Sequence, residues 1–212
     1  MSGIVVIDFG MGNLRSVSKA LEHAGAPRVT VSGEPEVIAR ADRVVFPGQG
    51  AMGTCAARLA DRGLAEVVVE TARRVPFLGI CLGLQALFES SEEDGGTAGL
   101  GLLPGQVRRF PGRDADGTPL KVPHMGWSPV HAARAHPLWR DVPDGSWFYF
   151  VHSYYAAPQA GADTLGTARY GAIEFCAAAG RGNLVATQFH PEKSHAAGLR
   201  LLENFLTWDG SS

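Results

Sequence analysis

Cysteine is scarce in this chain: 212 residues contain only Cys55, Cys81 and Cys176. Their wide spacing indicates neither a disulfide framework nor the closely spaced ligand pairs of a zinc site. We therefore expect no metal, no cofactor and a cytoplasmic, reducing location in which thiols stay free. A free thiol in such a location can serve catalysis.

Long apolar runs and clusters of positive charge are missing as well. No stretch approaches the roughly 20 apolar residues of a membrane span, and the N-terminal Met1-Ser2-Gly3 lacks the basic region of a signal peptide. Lys and Arg cluster no further than pairs such as Arg73-Arg74 and Arg108-Arg109, and the formal net charge is -2. These absences argue against a membrane protein and against a surface that tracks nucleic acid.

What remains is the composition of an ordinary globular protein, with 45% apolar and 19% charged residues. This length suits one large domain with a core of its own. The sequence has neither an internal repeat nor a linker that would divide it. We therefore predict one domain over residues 1–212.

The first half of the chain alternates short apolar runs with helical patterns. Strands are predicted at 4–7, 29–31, 44–46 and 76–80, and helices at 14–24, 34–39 and 58–72. This alternation indicates an α/β fold with a doubly wound, mostly parallel sheet flanked by helices. After a predicted acidic surface loop at 89–101, short strands with turn signals indicate an added smaller mixed or antiparallel sheet, and a helix at 194–208 closes the chain.

The strongest local signal is the segment Gly79-Ile80-Cys81-Leu82-Gly83. A cysteine at a strand-to-helix turn, with glycines two residues away on each side, is the thiol counterpart of a nucleophile elbow. Side chains at the flanking positions would collide with neighbouring backbone, and the positive end of the helix dipole favours the thiolate. We therefore predict that Cys81 is a catalytic nucleophile, whereas Cys55 and Cys176 lack such flanks and are expected to be structural.

A cysteine nucleophile needs a base, and a third group must hold that base. In Phe189-His190-Pro191-Glu192, His190 can be the base and Glu192 can orient its ring. Backbone amides in Pro47-Gly48-Gln49-Gly50, together with that of Leu82, can form an oxyanion hole. Taken singly, a cysteine, a histidine or a Pro-Gly turn is more often structural. The candidates nevertheless follow predicted parallel strands, whose carboxyl ends meet at one edge, so we expect them to lie together.

These residues resemble the class I, triad-type glutamine amidotransferases. Four further stretches resemble the glutaminase subunits of imidazole glycerol phosphate synthase, and they are D-F-G-M-G-N-L at 8–14, K-V-P-H-M-G-W at 121–127, Y-F-V-H-S-Y at 149–154 and P-E-K-S at 191–194. The likeness runs from Val6 to Phe205. Gln49 stands where valine is commoner in that family, and Ser128 stands where asparagine is usual.

The resemblance implies a reaction. Cys81 would attack the side-chain amide carbon of glutamine, and His190 would protonate the departing ammonia. Water activated by His190 would then hydrolyse the thioester to glutamate. Gln85, Ser153 and Tyr154 match family positions that contact the substrate.

The resemblance also implies a partner, a (β/α)8-barrel cyclase subunit bound as a heterodimer. That subunit would use the ammonia to make imidazole glycerol phosphate and an aminoimidazole carboxamide ribonucleotide in histidine biosynthesis. Family positions at the docking face match Asn13, Met125, Trp127, Tyr149 and Lys193. Trp127 and Tyr149 lie in strand patterns and can equally fill a core. We expect His124 and His152 beside them to be structural rather than a second base.

Three other interpretations stay open. Another class I amidotransferase, serving an anthranilate, guanylate or pyridoxal synthase, would carry the same Cys-His-Glu set, although P-H-M-G-W and V-H-S-Y favour imidazole glycerol phosphate synthase. A γ-glutamyl hydrolase on the same fold would need no partner. A scaffold with a dead site is disfavoured by the intact Cys81, His190 and Glu192.

Overall fold

Buried strands alternate with helices through the first half of the chain in a computed structural model that describes residues 3–211. Met1, Ser2 and Ser212 lie outside the described residues, and with them most of the N-terminal segment in which no signal peptide is expected. In chain order the elements of this half are β1 (Ile4–Ile7), α1 (Leu14–His23), β2 (Val29–Ser32), α2 (Pro35–Ala39), β3 (Arg43–Gly48), α3 (Met52–Asp61), α4 (Ala65–Ala72), β4 (Phe77–Cys81) and α5 (Leu82–Ala86).

The second half consists mainly of strands and ends in one helix. Its elements are β5 (Phe88–Ser91), β6 (Thr97–Ala98), β7 (Leu103–Arg109), β8 (His124–Ala132), β9 (Ser146–His152), β10 (Tyr154–Pro158), β11 (Thr164–Tyr170), β12 (Ile173–Arg181), β13 (Leu184–Thr187) and α6 (His195–Thr207). Short 3-10 helices lie at Glu93–Gly95, Pro137–Trp139, Gly161–Asp163 and Pro191–Lys193. None of the helices within residues 3–211 has the length and apolar character needed to cross a membrane.

The strands form a parallel part and an antiparallel part. The parallel order is β2-β1-β3-β4-β13, and antiparallel β12, β10 and β7 continue it beyond β13. Strands β11, β8 and β9 extend from β12 as further antiparallel ladders. The predicted α/β fold, a mostly parallel wound sheet with an added antiparallel part, is confirmed.

The central strands β3 and β4 are fixed by packing on both faces. Successive residues of a strand point to opposite faces, so Phe46 and Phe77 enter a core shared with α3 and α4. Val45 and Leu78 enter a second core, shared with α1 and α6. Full burial of one such side chain contributes about 1.5–3 kcal/mol. The two layers therefore hold the carboxyl ends of β3 and β4 in place.

Two predictions about individual elements are wrong. The helix predicted at 58–72 is broken into α3 and α4, because Gly63 between them has a φ of 64° and leaves the helical conformation. The surface loop predicted at 89–101 contains β5, a 3-10 turn and β6, which pair with each other and with β7. The Glu93 carboxylate in this segment accepts a hydrogen bond from the Met52 N–H (2.7 Å) and so binds the segment to the start of α3.

Candidate active site

Three neighbouring parallel strands end at the same edge of the sheet. The register places Gly48 of β3 beside Cys81 of β4, and Thr187 of β13 beside Ile80. The segment that follows β13 therefore leaves the sheet next to the thiol, with His190 three residues beyond Thr187. Strand order thus brings together groups that are far apart in the sequence.

Cys81 occupies a strained turn between β4 and α5. Its φ of 56° and ψ of -105° are rare for a residue with a side chain, and they are maintained here by the packing around the turn. A Cβ at Gly83 would lie 1.8 Å from the Phe46 carbonyl oxygen, and one at Gly79 would lie 3.0 Å from the Gly83 carbonyl oxygen. The steric reason for the two glycines is confirmed. The thiol itself is 6% exposed at the edge of the sheet.

The His190 ring is held from one side by Glu192. Its Nδ1 lies 2.8 Å from Glu192 Oε1, and the two side chains are 2% and 1% exposed. The backbone is fixed as well, because the His190 N–H donates to the Tyr149 carbonyl (2.9 Å) and the Ser194 hydroxyl donates to the His190 carbonyl (2.6 Å). His190 Nε2 has no hydrogen-bond partner among the described residues, so it is available to a reacting group.

Electrostatics keep a proton on this ring. Burial alone would lower the pKa of His190, but the neighbouring Cys81 sulfur and the Glu192 carboxylate outweigh burial and raise the pKa to about 10. The ring is therefore an imidazolium at neutral pH, with Glu192 holding one N–H. An imidazolium in this position can give its Nε2 proton to a leaving group.

The predicted oxyanion residues lie against the nucleophile turn. A Cβ at Gly48 would approach Leu82 Cβ to 3.0 Å, so only glycine lets β3 come this close to the start of α5. Gly50 has a φ of 108°, and its backbone runs beside Met11. Leu82 is the first residue of α5, and the first N–H groups of a helix have no partner within the helix. Backbone donors are therefore concentrated beside Cys81.

Gln85 and Gln188 form the polar floor next to the thiol. Gln85 Nε2 donates to the Tyr154 carbonyl (2.9 Å) and to Gln188 Oε1 (3.2 Å). Gln188 Nε2 in turn donates to Cys81 Sγ (3.8 Å). Sequence reasoning missed Gln188. No local signal in the sequence identifies Gln188, because its complete burial depends on the place of β13 in the sheet.

These groups surround a cleft of about 440 Å³. The predicted residues that line this cleft are Gln49, Gly50, Cys81, Leu82, Gln85, Tyr149, Ser153, Tyr154, His190 and Lys193. Gly48 lies behind Leu82, and Glu192 lies behind His190. Glu93 also lines the cleft, although its acidic segment was predicted to be a surface loop. A cleft with one thiol, one imidazolium and many amides suits a small, polar, amide-bearing substrate.

Four of the residues predicted for docking lie beside this cleft, since Tyr149 and Lys193 line it and Met125 and Trp127 pair with its Val151 and Tyr149 in the β8–β9 ladder. Met125 and Trp127 on β8 are 61% and 39% exposed, which argues against a core role for Trp127. The Trp127 ring meets Tyr149 edge-on with centroids 5.9 Å apart, and Lys193 Nζ lies 5.8 Å from the Tyr149 centroid. Asn13 caps α1, where its side chain accepts a hydrogen bond from the Ser16 N–H (3.2 Å). We call Asn13, Met125, Trp127, Tyr149 and Lys193 the docking surface.

The other titratable candidates lie in structural settings. Burial raises the pKa of Cys55 and of Cys176 to about 12, so neither thiol is a nucleophile at neutral pH. His124 and His152 are buried, with side-chain nitrogens that lie within hydrogen-bond distance of protein partners. Within residues 3–211 no three His, Cys, Asp or Glu side chains come together as a metal site.

The chain is similar to known proteins along almost its whole length. The family model for glutamine amidotransferase class-I matches residues 5–208. An imidazole glycerol phosphate synthase subunit HisH from Methylococcus capsulatus is 59% identical, covering 99% of this chain and 98% of that protein. The HisH subunit from Nitrosospira multiformis is 54% identical over 98% of this chain and 99% of its own length. Among solved structures, PurLQS from Thermotoga maritima superposes with a TM-score of 0.72 at 17% identity, covering 97% of this chain and 98% of that chain, which shows a shared fold.

Proposed function

Because the chain belongs to the class-I glutamine amidotransferases and, within them, to the HisH subunits of imidazole glycerol phosphate synthase, we propose that Cys81, His190 and Glu192 hydrolyse glutamine to glutamate and ammonia. The observation that supports these residues most strongly is the buried His190 ring, whose Nδ1 lies 2.8 Å from Glu192 Oε1 and whose Nε2 has no partner among the described residues, in the cleft that Cys81 also lines. The reaction serves histidine biosynthesis, as for the relatives. Residues 1–212 act in this proposal as one glutaminase domain in the cytoplasm.

The first half of the reaction forms a thioester. Cys81 Sγ attacks the side-chain amide carbon of glutamine, and the carbonyl oxygen becomes an oxyanion as the C–O π bond opens. Backbone N–H groups of Gly48, Gln49, Gly50 and Leu82 receive that charge. The C–N bond then breaks, and His190 Nε2 gives its proton to the departing amine, which leaves as ammonia. The Glu192 carboxylate keeps its hydrogen bond to His190 Nδ1 while the His190 ring changes from an imidazolium to a neutral imidazole.

The second half returns the thiol. His190, now neutral, takes a proton from a water molecule as the water oxygen attacks the thioester carbon. The C–S bond breaks, the new γ-carboxyl group releases its proton to solvent to give glutamate, and the Cys81–His190 pair again carries the one proton with which it began. Gln85, Ser153 and Tyr154 would hold the substrate during both halves, since all three line the cleft around the thiol.

The ammonia is consumed by a second subunit in this proposal. Ammonia released into neutral water becomes mostly ammonium, a poor nucleophile, so the acceptor must dock over the thiol. The proposed partner is a (β/α)8-barrel cyclase subunit in a heterodimer, seated on the docking surface. Support comes from the exposure of Met125 and Trp127 at the rim of the cleft. Trp147, 58% exposed on β9 opposite Pro129 of β8, extends the same apolar surface.

The test mixes the purified chain with the cyclase subunit of an imidazole glycerol phosphate synthase and its nucleotide substrate, and follows glutamate release. We expect strong stimulation over the chain alone, and loss of at least about a thousandfold in a Cys81→Ala variant that keeps its fold. A Trp127→Ala variant should bind the cyclase less tightly, whereas Val37→Ala, at an exposed apolar residue of α2, should bind normally. A high rate of glutamate release that is the same with and without the cyclase would instead indicate a γ-glutamyl hydrolase that acts without a partner.

A further inference from the structure

A row of hydrogen bonds runs through the interior beneath the cleft. Ser128 Oγ lies 3.0 Å from His124 Nε2, and His124 Nδ1 lies 3.1 Å from His152 Nε2. His152 Nδ1 lies 2.7 Å from the Tyr154 carbonyl oxygen. These hydrogen bonds therefore connect β8 to the last residue of β9 and to the first residue of β10. That first residue, Tyr154, also lines the cleft.

We propose that His124 and His152 are positioning residues for glutamine hydrolysis, two neutral imidazoles of one fixed tautomer that hold the Tyr154 carbonyl and, through it, the side chain of Gln85. The inference rests on the proposed function and deepens it, because it names what holds the substrate-binding floor in place. The ring nitrogens of both histidines bond to groups other than Cys81 and His190, so the proposed role is indirect.

The direction of each hydrogen bond follows by elimination. The Tyr154 carbonyl can only accept, so His152 Nδ1 carries a proton. A neutral His152 then has a lone pair on Nε2, and His124 Nδ1 must donate to it. A neutral His124 has its own lone pair on Nε2, which accepts from the Ser128 hydroxyl. Every polar atom of the two rings is thereby satisfied, with both rings in the Nδ1–H tautomer.

The alternative pattern needs a buried charge that nothing neutralises. A doubly protonated His152 would donate to His124, but the charged neighbour of His152 is the His190 imidazolium, which repels it. Burial lowers the pKa of His152 to about 3 and that of His124 to about 4, which keeps both rings neutral. The two side chains are only 5% and 3% exposed.

Aromatic rings hold both imidazoles in a fixed orientation. Tyr170 stacks on His124 with centroids 4.1 Å apart, and Phe150 stacks on it at 5.1 Å. Phe110 and Phe175 lie 5.2 Å and 5.3 Å from the His152 ring. These aromatic contacts limit rotation of both imidazoles, although His152 also lines the cleft. The position of the Tyr154 carbonyl is therefore fixed by the two rings.

The consequence for the substrate passes through Gln85. The Tyr154 carbonyl accepts from His152 and from Gln85 Nε2 at once, and the second N–H of Gln85 goes to Gln188. Both donors of the Gln85 amide are thus used inside the protein, which leaves its Oε1 as the acceptor for a donor group of glutamine. If the Tyr154 carbonyl turned, the Gln85 amide would lose the partner that fixes which atom meets the substrate.

The first test reads the tautomers directly. In the isolated chain labelled with ¹⁵N-histidine, long-range ¹H–¹⁵N spectra between pH 6 and pH 8 should show two neutral Nδ1–H imidazoles. Loss of one of these signals in His124→Gln and of the other in His152→Gln would assign them. An imidazolium or an Nε2–H tautomer at either residue would overturn the proposal. This measurement does not depend on glutaminase activity, so it stands even if the proposed function fails.

The second test separates positioning from folding in the complex with the cyclase subunit and its nucleotide substrate. His152→Phe keeps the ring shape but removes both polar atoms, and we expect a KM for glutamine about tenfold higher with kcat within about twofold. His152→Gln offers one donor and one acceptor and should recover most of the affinity. His136→Gln, at a buried histidine near Trp208, is the matched control and should leave KM unchanged. If Phe and Gln at position 152 raised KM equally, or if His152→Phe lowered only the melting temperature, the role would be structural and the proposal wrong.

Discussion

In the proposed reaction, Glu192 acts through the His190 ring and not on the substrate itself. Its Oε1 holds His190, while Oε2 has no partner among the described residues and lies in a side chain that is only 1% exposed. A buried carboxylate with one unpaired oxygen is costly, and such a group persists where its charge is used. Its charge is one of the two that keep a proton on His190.

Replacing Glu192 with Gln keeps the shape of this side chain and removes the charge. The folded-state pKa of His190, about 10 in the wild type, should fall, because one negative neighbour of the imidazolium is lost. The imidazolium is the proton donor, so the alkaline limb of kcat/KM for glutamine should move to lower pH, with a loss of about a hundredfold at the optimum. The measurement is kcat/KM of the complex from pH 6.5 to pH 10.

The control for this prediction is Glu203→Gln, which removes a carboxylate paired with Arg200 on the outer face of α6. This variant should keep the wild-type profile. An alkaline limb that stayed in place in Glu192→Gln would show that Glu192 does not set the protonation of His190.

Single residues could be predicted where the backbone imposes a rule on the sequence. Cys81 was identifiable because Gly79 and Gly83 are forced by contacts that a Cβ would make with backbone atoms. Gln188 and Glu93 obey no such local rule. Gln188 reaches the Cys81 sulfur because β13 lies beside β4, and Glu93 reaches the cleft because the segment after β5 folds over the start of α3. Neither fact is encoded near those residues.

Helices and strands could be predicted where the hydrophobic pattern and the segment length agreed. The prediction was less accurate where a single glycine determines where a helix ends. The apolar positions of α3 and α4 fit one long helix, yet Gly63 between Asp61 and Ala65 takes a φ of 64° and turns the chain. The order of strands in the antiparallel part could not be predicted from the sequence either, because β12 pairs with three strands, β10, β11 and β13. Pairings of this kind depend on contacts between distant residues, which local pattern does not record.

The break between α3 and α4 gives a prediction about stability. Gly63→Ala should lower the free energy of unfolding by about 1 kcal/mol, since a Cβ in the left-handed region costs roughly 1–2 kcal/mol and no atom lies close enough to add a clash. Gly161→Ala is the comparison, because Gly161 is also exposed and free of close neighbours but does not have a positive φ. Urea unfolding of the wild type, Gly63→Ala and Gly161→Ala measures the change in unfolding free energy that each substitution causes. Equal stability of the two variants would mean that α3 and α4 tolerate a different turn.

At the scale of the whole molecule, buried neutral histidines set the response to acid. The pKa values of His124, His136 and His152 are all lowered, to about 4, about 4 and about 3, in each case mainly by burial. Their folded-state pKa values lie below the unfolded value of about 6.5. Between pH 6.5 and pH 4 these histidines therefore bind protons in the unfolded chain but stay neutral in the folded chain. The free energy of unfolding consequently falls as the pH falls. Above pH 6.5 these residues contribute no pH dependence.

His136→Asn isolates one third of this effect. Burial and then the nearby Arg134 lower the pKa of His136, and its Nδ1 accepts from the Leu138 N–H (3.1 Å), a bond that asparagine can replace. Between pH 7 and pH 5 the variant should lose about 2 kcal/mol less unfolding free energy than the wild type. The comparison variant is His23→Asn, at an exposed histidine in the last turn of α1. If the unfolding free energies of the wild type and of His136→Asn fell equally between pH 7 and pH 5, burial would not be what lowers the pKa of His136.

The position of β13 in the sheet has a consequence for how the protein is made. This strand, Leu184–Thr187, lies between β4 and β12 and is followed by His190 next to the thiol, yet it is synthesised long after β4. On the ribosome, β4 with Cys81 can pair with β3 well before its second neighbour exists. A nascent chain at that stage holds Cys81 without His190, the base of the proposed reaction, and domains that need distant strands complete their folding late. If the proposed triad is right, glutamine hydrolysis needs a chain synthesised past β13, and chains that stop before this strand should release no ammonia.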